Sequence, residues 1–574
     1  MDKLDIAVII GYFILVAGIG ITMGRTVRNT KDYFTGNRSV RWFMGGISNY
    51  MTMISTFIFI AYAGISYQDG LTALAVMWSS CFATILGTLF LARRWKRIPI
   101  TTPTEFLEKR YNSGVRQTIS WGGIVFRLLD NMVRLYAMGL FISAVSGFPL
   151  IQGILLTGTV VLVYTMIGGL WAVILTDVIQ CVMIVLVSMI LVPLVWMKAG
   201  GISGLYSAIP DHFCFTNGTK GSLGFLLVYY LMVLLKFNGN WAFIQRFYST
   251  RSESESVKMG LFSALLFLIL PVLFLFPAFA APVIAPNLSN PETAYVAVCK
   301  ILLPAGTMGL MLAAMFAATM STLSAEYNVT SSVLTKDIYQ RLFRKNAGDR
   351  ELLITARIAT FLIGILIMIG SIFIEKIGGA FEANKILTGL LGVPLVVPLI
   401  FGVLFKKPSS ASAIASILTG ISAGLFFWYT GWFSWEIGTL IQIVSTIAVL
   451  FLLGYLLPGT SDYRAKVVRF FEPIKRTISG GSGDVWEISC LKEDIPAAEE
   501  EMRSEEKTRI LRTNAFIIAV FAGSLVFCSL LFFISGFFNI KDISGQLTAG
   551  AGGLCLLFAG IQIWRARKLY KEAK

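Results

Sequence analysis

The feature that most constrains this chain is a recurring apolar segment about twenty residues long, the length a helix needs to cross about 30 Å of hydrocarbon. Only 14% of the 574 residues are charged, too few to cover the surface of soluble domains of this total length. The sequence therefore predicts an all-α polytopic membrane protein. Fifteen predicted spans lie at roughly 5–23, 42–64, 71–92, 117–147, 151–169, 173–197, 222–244, 258–283, 305–335, 353–375, 382–405, 410–430, 436–457, 513–538 and 545–566.

The net charge of +16 is concentrated in alternate connecting segments. Segments 24–41, 93–116 and 336–357 and the C-terminal tail are rich in Lys and Arg, whereas the loops between them are not. Because basic loops remain in the cytoplasm, we expect a multi-pass protein of the cell membrane with its N-terminus outside and its C-terminus inside. This distribution predicts a lipid bilayer, and not nucleic acid, as the partner, and no obligate protein partner is evident.

No motif indicates an enzyme or a metal centre with His and Cys ligands. The chain has one His, its seven Cys residues are scattered, and it lacks a Gly-Lys-Ser/Thr phosphate-binding loop. The sequence therefore argues against an ATP-driven pump. Cys214 and Cys299 both fall in predicted outer loops, and whether they form a disulfide is left open.

A polar segment separates the first thirteen spans from the last two. Residues 459–512 have mixed charges and almost no apolar core, which favours a solvated cytoplasmic linker, with a regulatory or partner-docking segment as the alternative. The predicted organisation is a transport domain over 1–458, this linker, and two additional spans with a basic tail over 513–574.

Four motifs at predicted membrane edges carry a family resemblance. They are TPTEFLEKRY (102–111), YTMIGGLWAV with TDVIQ (164–180), QR (245–246), and the segment 313–339 with its small residues and DIY ending. In this order they resemble the sodium/solute symporter family, which includes sodium–glucose cotransporters, proline permeases and sialic acid transporters. The resemblance covers about residues 1–458, and the last two spans are an addition to the family's common thirteen.

The resemblance implies a leucine-transporter-type core of two inverted five-helix repeats, over about 42–405, with extra N-terminal and C-terminal spans. Spans two to six would form one repeat and spans seven to eleven the other. Span two contains Gly45-Gly46 and Ser48-Asn49, and span seven ends in Asn238-Gly239-Asn240. Interrupted helices in such transporters expose backbone carbonyls and helix ends near the middle of the bilayer.

The resemblance also places a sodium site between spans two and nine. Its ligands would be the carbonyl oxygens of Met51, Ile54 and Ala318 and the hydroxyls of Ser321 and Thr322. Such hard oxygen ligands suit the ion, which would be the coupling ion of transport. The alternative is that the two hydroxyls bond carbonyls of their own helix.

Some family members bind a second sodium, and the matching positions here include Asp177, Ser321 and Ser324. Ala325 stands where the family supplies a further hydroxyl, so we expect one sodium per solute. Alternatively, Asp177 caps the start of its helix.

Span four contains Arg127, Asp130 and Arg134 on one helical face. One carboxylate cannot neutralise two arginines, so one positive charge is left over. Arg127 is expected to lie near the cytoplasmic end and to extend to the interface. By resemblance, Arg134 aligns with a basic position that contacts the substrate carboxylate in sialic acid transporters, and Ser55 and Asn240 are further expected solute-binding residues.

These observations together predict sodium-coupled symport of a small polar organic solute into the cell by alternating access. The solute would be a sugar, an acidic sugar such as sialic acid, or another carboxylate. Ile58 and Met77 stand where sodium–galactose symporters carry Gln and Glu, which weakens the analogy with hexose carriers. The alternatives are a proton-coupled carrier of the same fold and a transport-derived sensor or receptor.

Overall fold

The computed structural model describes residues 2–24, 34, 38–475, 497–539 and 542–572. Within this part of the chain the regular structure is helical, and the only pairing of β type is an isolated bridge between Val40 and Thr250. A helix satisfies its backbone hydrogen bonds internally, which is what a hydrocarbon environment requires.

The helices are named here in chain order. They are α1 (Lys3–Gly24), α2 (Trp42–Met51), α3 (Ala63–Asp69), α4 (Thr72–Arg97), α5 (Glu105–Arg110), α6 (Ser113–Ser146), α7 (Leu150–Lys198), α8 (Gly201–Ala208), α9 (Leu223–Asn238), α10 (Trp241–Ser249), α11 (Glu253–Ile284), α12 (Ala294–Leu302), α13 (Thr307–Phe343), α14 (Asp349–Ser371), α15 (Ala380–Leu404), α16 (Ser410–Thr430), α17 (Trp435–Leu456), α18 (Ser461–Lys475), α19 (Ala497–Phe538) and α20 (Ile543–Glu572).

Eleven helices of the described residues are long and apolar enough to cross a membrane, and a twelfth span results if α9 and α10, which are bent by 51°, count as one. The three remaining predicted spans coincide with α1, with the α2–α3 pair and with the first part of α7. Predicted spans five and six lie in the single helix α7, whose apolar parts are Leu150–Val163 and Val173–Lys198. The chain is a multi-pass membrane protein.

Two helices are interrupted, one in each of the two spans for which an interruption was expected, but Gly45-Gly46 and Ser48-Asn49 lie inside the regular helix α2 and the first break follows them. After α2 the backbone leaves helical geometry over residues 52–55 and resumes through a π-helical turn, Ile58–Tyr62, that leads into α3. The second break, at Gly239, separates α9 from α10. A Cβ atom at Gly239 would lie 2.2 Å from the Val396 side chain, so a glycine is required for α15 to approach this break.

The centre of the molecule is α13, of which every residue from Thr307 to Val333 is buried. Its small residues let α1, α6 and α7 pack closely against it. The N-terminus of α13 is capped by a distant side chain, since Asp5 Oδ1 accepts hydrogen bonds from Gly306 N and Gly309 N at 2.7 Å each. This contact fixes α1 to the central helix.

The segment predicted as a solvated linker begins with an ordered helix, α18. Its buried residues Val467, Phe470, Phe471 and Ile474 follow helical spacing and pack on the protein. Residues 476–496 lie outside the described residues, and α19 already begins at Ala497, before the predicted span that starts at 513.

The two cysteines of the predicted outer loops are not joined to each other. Cys214 and Cys299 are free thiols, the first exposed and the second buried in α12.

Candidate ion and solute site

A cluster of four oxygens lies between the break after α2 and the middle of α13. The Thr322 hydroxyl oxygen is 2.6 Å from the Ile54 carbonyl oxygen, 3.2 Å from that of Met51 and 3.3 Å from that of Ala318. The hydroxyl has one proton and donates one hydrogen bond at a time. At any moment, therefore, two of the three carbonyl oxygens face the hydroxyl oxygen with no proton between the two atoms. A small hard cation would stabilise this arrangement.

The break itself provides the Ile54 carbonyl. In a continuous helix this oxygen would accept the backbone N–H of Ile58, but that N–H donates to Ser55 O at 3.0 Å. Thr56 also forms a hydrogen bond outside its own segment, since its hydroxyl oxygen lies 2.7 Å from the hydroxyl oxygen of Thr319 on α13. The irregular backbone is thus held against α13 by side-chain hydrogen bonds.

The hydroxyl of Ser321, the fifth predicted sodium ligand, is hydrogen-bonded to a neighbouring carboxylate. Ser321 Oγ donates to Asp177 Oδ1 at 2.6 Å, and Ser48 Oγ donates to Asp177 Oδ2 at 2.5 Å. Asp177 Oδ2 also lies 3.7 Å from Arg246 Nη2, and both side chains are fully buried. In this conformation Ser321 links α13 to α7 and not to the carbonyls around Thr322.

The residues considered for a second sodium are only partly brought together. Asp177 and Ser321 are in contact, but the Ser324 hydroxyl donates to the Ser321 carbonyl of its own helix at 3.1 Å. Ala325 contributes no oxygen from its side chain, and Arg246 already faces the Asp177 charge.

A second buried cluster surrounds Asp130 on α6. Its Oδ2 accepts from Arg134 Nε at 3.1 Å and Nη2 at 2.8 Å, and its Oδ1 accepts from Lys236 Nζ at 2.8 Å and Asn384 Nδ2 at 2.9 Å. Lys236 also donates to the Asn384 side-chain oxygen at 3.2 Å and to the Thr388 hydroxyl at 3.1 Å. One carboxylate therefore joins α6, α9 and α15 and is shared by two cations.

The expectation that Arg127 extends to the membrane interface is wrong. Its side chain is 5% exposed, and its guanidinium lies 2.9 Å from Glu326 Oε2 on α13. Arg127 Nη2 donates to Gly239 O at 3.2 Å, and Asn240 Nδ2 donates to Glu326 Oε1 at 2.6 Å. The cost of burying the arginine is reduced by the opposite charge of Glu326.

A narrow cavity of about 50 Å³ lies between the α2–α3 break and α9. Its charged and amide-bearing lining residues are Arg134, Lys236 and Asn384, and Ser55 also lines it. None of the described residues that line it is acidic. Because typical ligand pockets hold several hundred Å³, a solute must move these helices apart to bind.

The structure separates the three expected solute-binding residues. Ser55 and Arg134 line the cavity, whereas Asn240 does not. The Asn240 side chain is occupied on both sides, because its oxygen accepts the Phe243 N–H at 2.8 Å while its nitrogen donates to Glu326. It is the N-cap of α10.

Sequence reasoning missed Lys236 and Glu326. Each is a solitary charged residue inside a predicted span, 222–244 or 305–335, and a charge in that position is itself a signal of a functional or paired group. The sequence presents Arg246 only as part of the QR motif at 245–246.

The comparisons with known proteins agree with this architecture. The model of the sodium:solute symporter family matches residues 33–420. A sodium/glucose cotransporter of Vibrio parahaemolyticus is 30% identical over 464 residues, covering 74% of this chain and 85% of that protein. The sodium/sialic acid symporter SiaT of Proteus mirabilis (strain HI4320) is 25% identical over 442 residues, covering 74% and 89%.

Solved structures share the fold. A substrate-bound, outward-open Na⁺-coupled sialic acid symporter has a TM-score of 0.71 at 22% identity, covering 79% of this chain and 98% of that chain. Mhp1, a nucleobase-cation-symport-1 family transporter, has a TM-score of 0.50 at 12% identity, covering 76% and 98%. The expected leucine-transporter-type fold is confirmed, as is sodium as the coupling ion. The chain therefore belongs to the sodium:solute symporter family.

Proposed function

We propose that this protein imports a small polar organic solute together with sodium by alternating access. The solute is a sugar, an acidic sugar or another carboxylate, classes that include the cargoes named for the relatives. The single observation that carries the proposal is the cluster of Met51, Ile54 and Ala318 carbonyls around the Thr322 hydroxyl.

The position of this cluster explains how an ion drives a conformational change. The oxygens of Met51 and Ile54 belong to the α2–α3 break, and those of Ala318 and Thr322 belong to α13. An ion bound by both sets links the two elements and stabilises the conformation in which they lie together. Sodium therefore shifts the equilibrium by its differential affinity for the two conformations.

The solute then binds in the adjacent cavity, where Ser55 and Arg134 line the wall. The cavity and the oxygen cluster share the broken backbone, since Ile54 contributes a carbonyl to the cluster and also lines the cavity. A change in either site alters the backbone geometry of the other, which is a physical basis for coupling.

The proposal includes the membrane orientation and the domain organisation that the sequence predicts. The basic loops lie in the cytoplasm, the N-terminus lies outside and the C-terminus inside the cell membrane. The transport domain is 1–458, and the two last spans are an addition to it.

Sodium-dependent counterflow of radiolabelled solute in proteoliposomes tests the proposal. The double variant Ser321→Ala with Thr322→Ala removes the hydroxyl at the centre of the carbonyl cluster and the second hydroxyl that the family resemblance places among the ligands, so we expect the sodium requirement to rise at least about tenfold, equivalent to about 1.4 kcal/mol. Unchanged sodium dependence would contradict the site, and uptake driven by a proton gradient without sodium would contradict the coupling ion.

A matched control lies on the same helix. Ser331 and Ser332 are another adjacent hydroxyl pair, and each bonds only to carbonyls of its own helix in the hydrogen bonds described, at 2.9 and 2.6 Å. The double variant Ser331→Ala with Ser332→Ala should leave the sodium requirement within about twofold of the unaltered protein.

A further inference from the structure

The buried charges around the two helix breaks do not balance. Three carboxylates, those of Asp130, Asp177 and Glu326, face four cations. Arg127 pairs with Glu326 and Arg246 pairs with Asp177, while Arg134 and Lys236 share Asp130. Among the described residues of these clusters, one positive charge is therefore left over, and it belongs to the Asp130 cluster.

The surplus charge is directed at the solute cavity. Both cations of the Asp130 cluster, Arg134 and Lys236, line the cavity, whereas Asp130 does not. A solute would therefore meet two positive groups first and the shared carboxylate only behind them. An unneutralised cation in a low-dielectric interior is costly, so this site gains free energy when an anion enters it.

Lys236 has hydrogen bonds that it can exchange. Its ammonium donates to the Asp130 carboxylate and to two neutral acceptors, the Asn384 side-chain oxygen at 3.2 Å and the Thr388 hydroxyl at 3.1 Å. An anionic oxygen is a stronger acceptor than either neutral group. Arg134 is similarly placed, because its Nη1 has only a long contact of 3.5 Å with Thr52 O among the hydrogen bonds described.

We propose that Lys236 is the residue that selects the solute and that the cargo is a small monoanion with a carboxylate or a similar acidic group. This inference rests on the proposed function. The anion accepts hydrogen bonds from Lys236 and Arg134, while Asp130 keeps the two cations in place from behind. A neutral sugar leaves the surplus charge uncompensated.

The proposal has an electrical consequence. One sodium and one monoanion together carry no net charge, so accumulation of the cargo depends on the sodium gradient and not on the membrane potential. With one sodium and a neutral solute, a potential of 100 mV would instead raise accumulation roughly 50-fold, from about 2.3 kcal/mol per charge.

Thermal-shift measurements on the purified full-length protein test the class of solute. In sodium buffer, D-glucuronate is compared with D-glucose, and N-acetylneuraminate with N-acetylmannosamine. We expect an acid, and not its neutral partner, to raise the melting temperature. Stabilisation by a neutral partner equal to that of its acid, or by no acid of the panel, would overturn the proposal.

The effect of sodium alone distinguishes a wrong assignment of the anionic cargo from a failure of the proposed sodium-coupled function. If sodium without solute raises the melting temperature relative to potassium but the neutral sugars are preferred, only the anionic cargo is wrong. If sodium has no effect, the proposed function itself fails.

The variant Lys236→Met tests the role of this residue, because it removes the surplus charge and leaves Asp130 paired with Arg134. We expect its apparent affinity for the stabilising acid to fall at least tenfold with the sodium shift retained, while Lys236→Arg keeps the preference for the acid. Lys385→Met on α15, which removes a lysine paired with Glu382 and outside the cavity, is the control. A merely structural Lys236 would lower basal stability without changing the ratio of acid to neutral affinity.

Voltage provides an independent measurement. Steady-state accumulation of the acid in proteoliposomes should change less than twofold when a potassium diffusion potential of 100 mV is imposed. A change near 50-fold would show that net charge crosses the membrane with the cargo. It would overturn the proposal that one monoanion is transported with one sodium ion.

Discussion

The pairing of Arg127 with Glu326 shows how single residues stabilise this protein. Both side chains are buried, and each also touches the α9–α10 break, Arg127 through Gly239 O and Glu326 through Asn240 Nδ2. The Arg127 guanidinium additionally lies 4.7 Å from the centre of the Trp241 ring. Two charges that would be costly alone are therefore tolerated because they occur together.

A double-mutant cycle tests this pairing. Glu326→Leu leaves the arginine buried without its counter-charge and should cost about 3–5 kcal/mol of stability. Arg127→Met with Glu326→Leu removes both charges and should recover a large part of that loss. The measurement is thermal unfolding in detergent, and equal losses in the single and double variants would show that the ion pair is not the cause.

Gly239 packs closely against the Val396 side chain, so its replacement should be destabilising. Gly239→Ala adds a methyl group that would meet the Val396 side chain at 2.2 Å, and overpacking of this kind costs typically about 1–3 kcal/mol. Val396→Ala removes both γ-methyl groups and leaves only the Cβ atom, at 2.8 Å, so it should reduce the overlap and restore part of the melting temperature when combined with Gly239→Ala. An additive loss in the combined variant would contradict the proposed contact.

At the scale of elements, α18 joins parts of the chain that are far apart in sequence. Arg110 at the end of α5 is fully buried and donates to the carbonyls of Gly402, Phe405, Lys406 and Pro408 and to the Tyr463 hydroxyl. Lys466 on α18 donates to Glu108 O at 2.7 Å. The helix thus connects the α4–α5 region with the end of α15.

The contribution of this connection is measurable by hydrogen exchange. Arg110→Met removes all five hydrogen bonds and leaves buried carbonyls unsatisfied, so exchange should accelerate at 402–408 and 461–475. Tyr463→Phe removes only one of the five and is the matched control, with an expected loss near 1 kcal/mol. Similar exchange in the two variants would mean that Arg110 does not organise this region.

At the scale of the whole molecule, the stoichiometry follows from the Asp177 region. Because Arg246 faces the Asp177 charge and Ala325 lacks a hydroxyl, we expect one sodium per solute. Measuring the sodium gradient that balances a known solute gradient in proteoliposomes, at zero membrane potential, determines the ratio. A ratio of two would show that another oxygen completes a second site.

Orientation in the membrane is testable through one thiol. Cys214 is exposed and free between α8 and α9, whereas the other described cysteines are buried. With the N-terminus outside, an impermeant maleimide should label intact cells, and Cys214→Ser should abolish that labelling. Labelling only after permeabilisation would show that Cys214 lies in the cytoplasm and that the orientation is the opposite of the proposed one.

The sequence by itself determined the membrane environment and the helical class, because the length of an apolar segment sets a span and is a local property. The two helix breaks and the candidate sodium ligands were expected from the resemblance to the symporter family. The same locality explains why the sequence does not reveal α18 within the predicted linker, since its short apolar face becomes recognisable only when the surface that covers it is known.

Only the tertiary structure decided which charges meet. Glu326 follows Arg127 by 199 residues, and Lys236 follows Asp130 by 106. The sequence showed an uncompensated arginine on α6, but helical spacing compares charges only within one helix. The partners come from other helices, and their distances depend on how α6, α9, α13 and α15 pack. The surplus charge at the solute cavity is therefore a property of that packing.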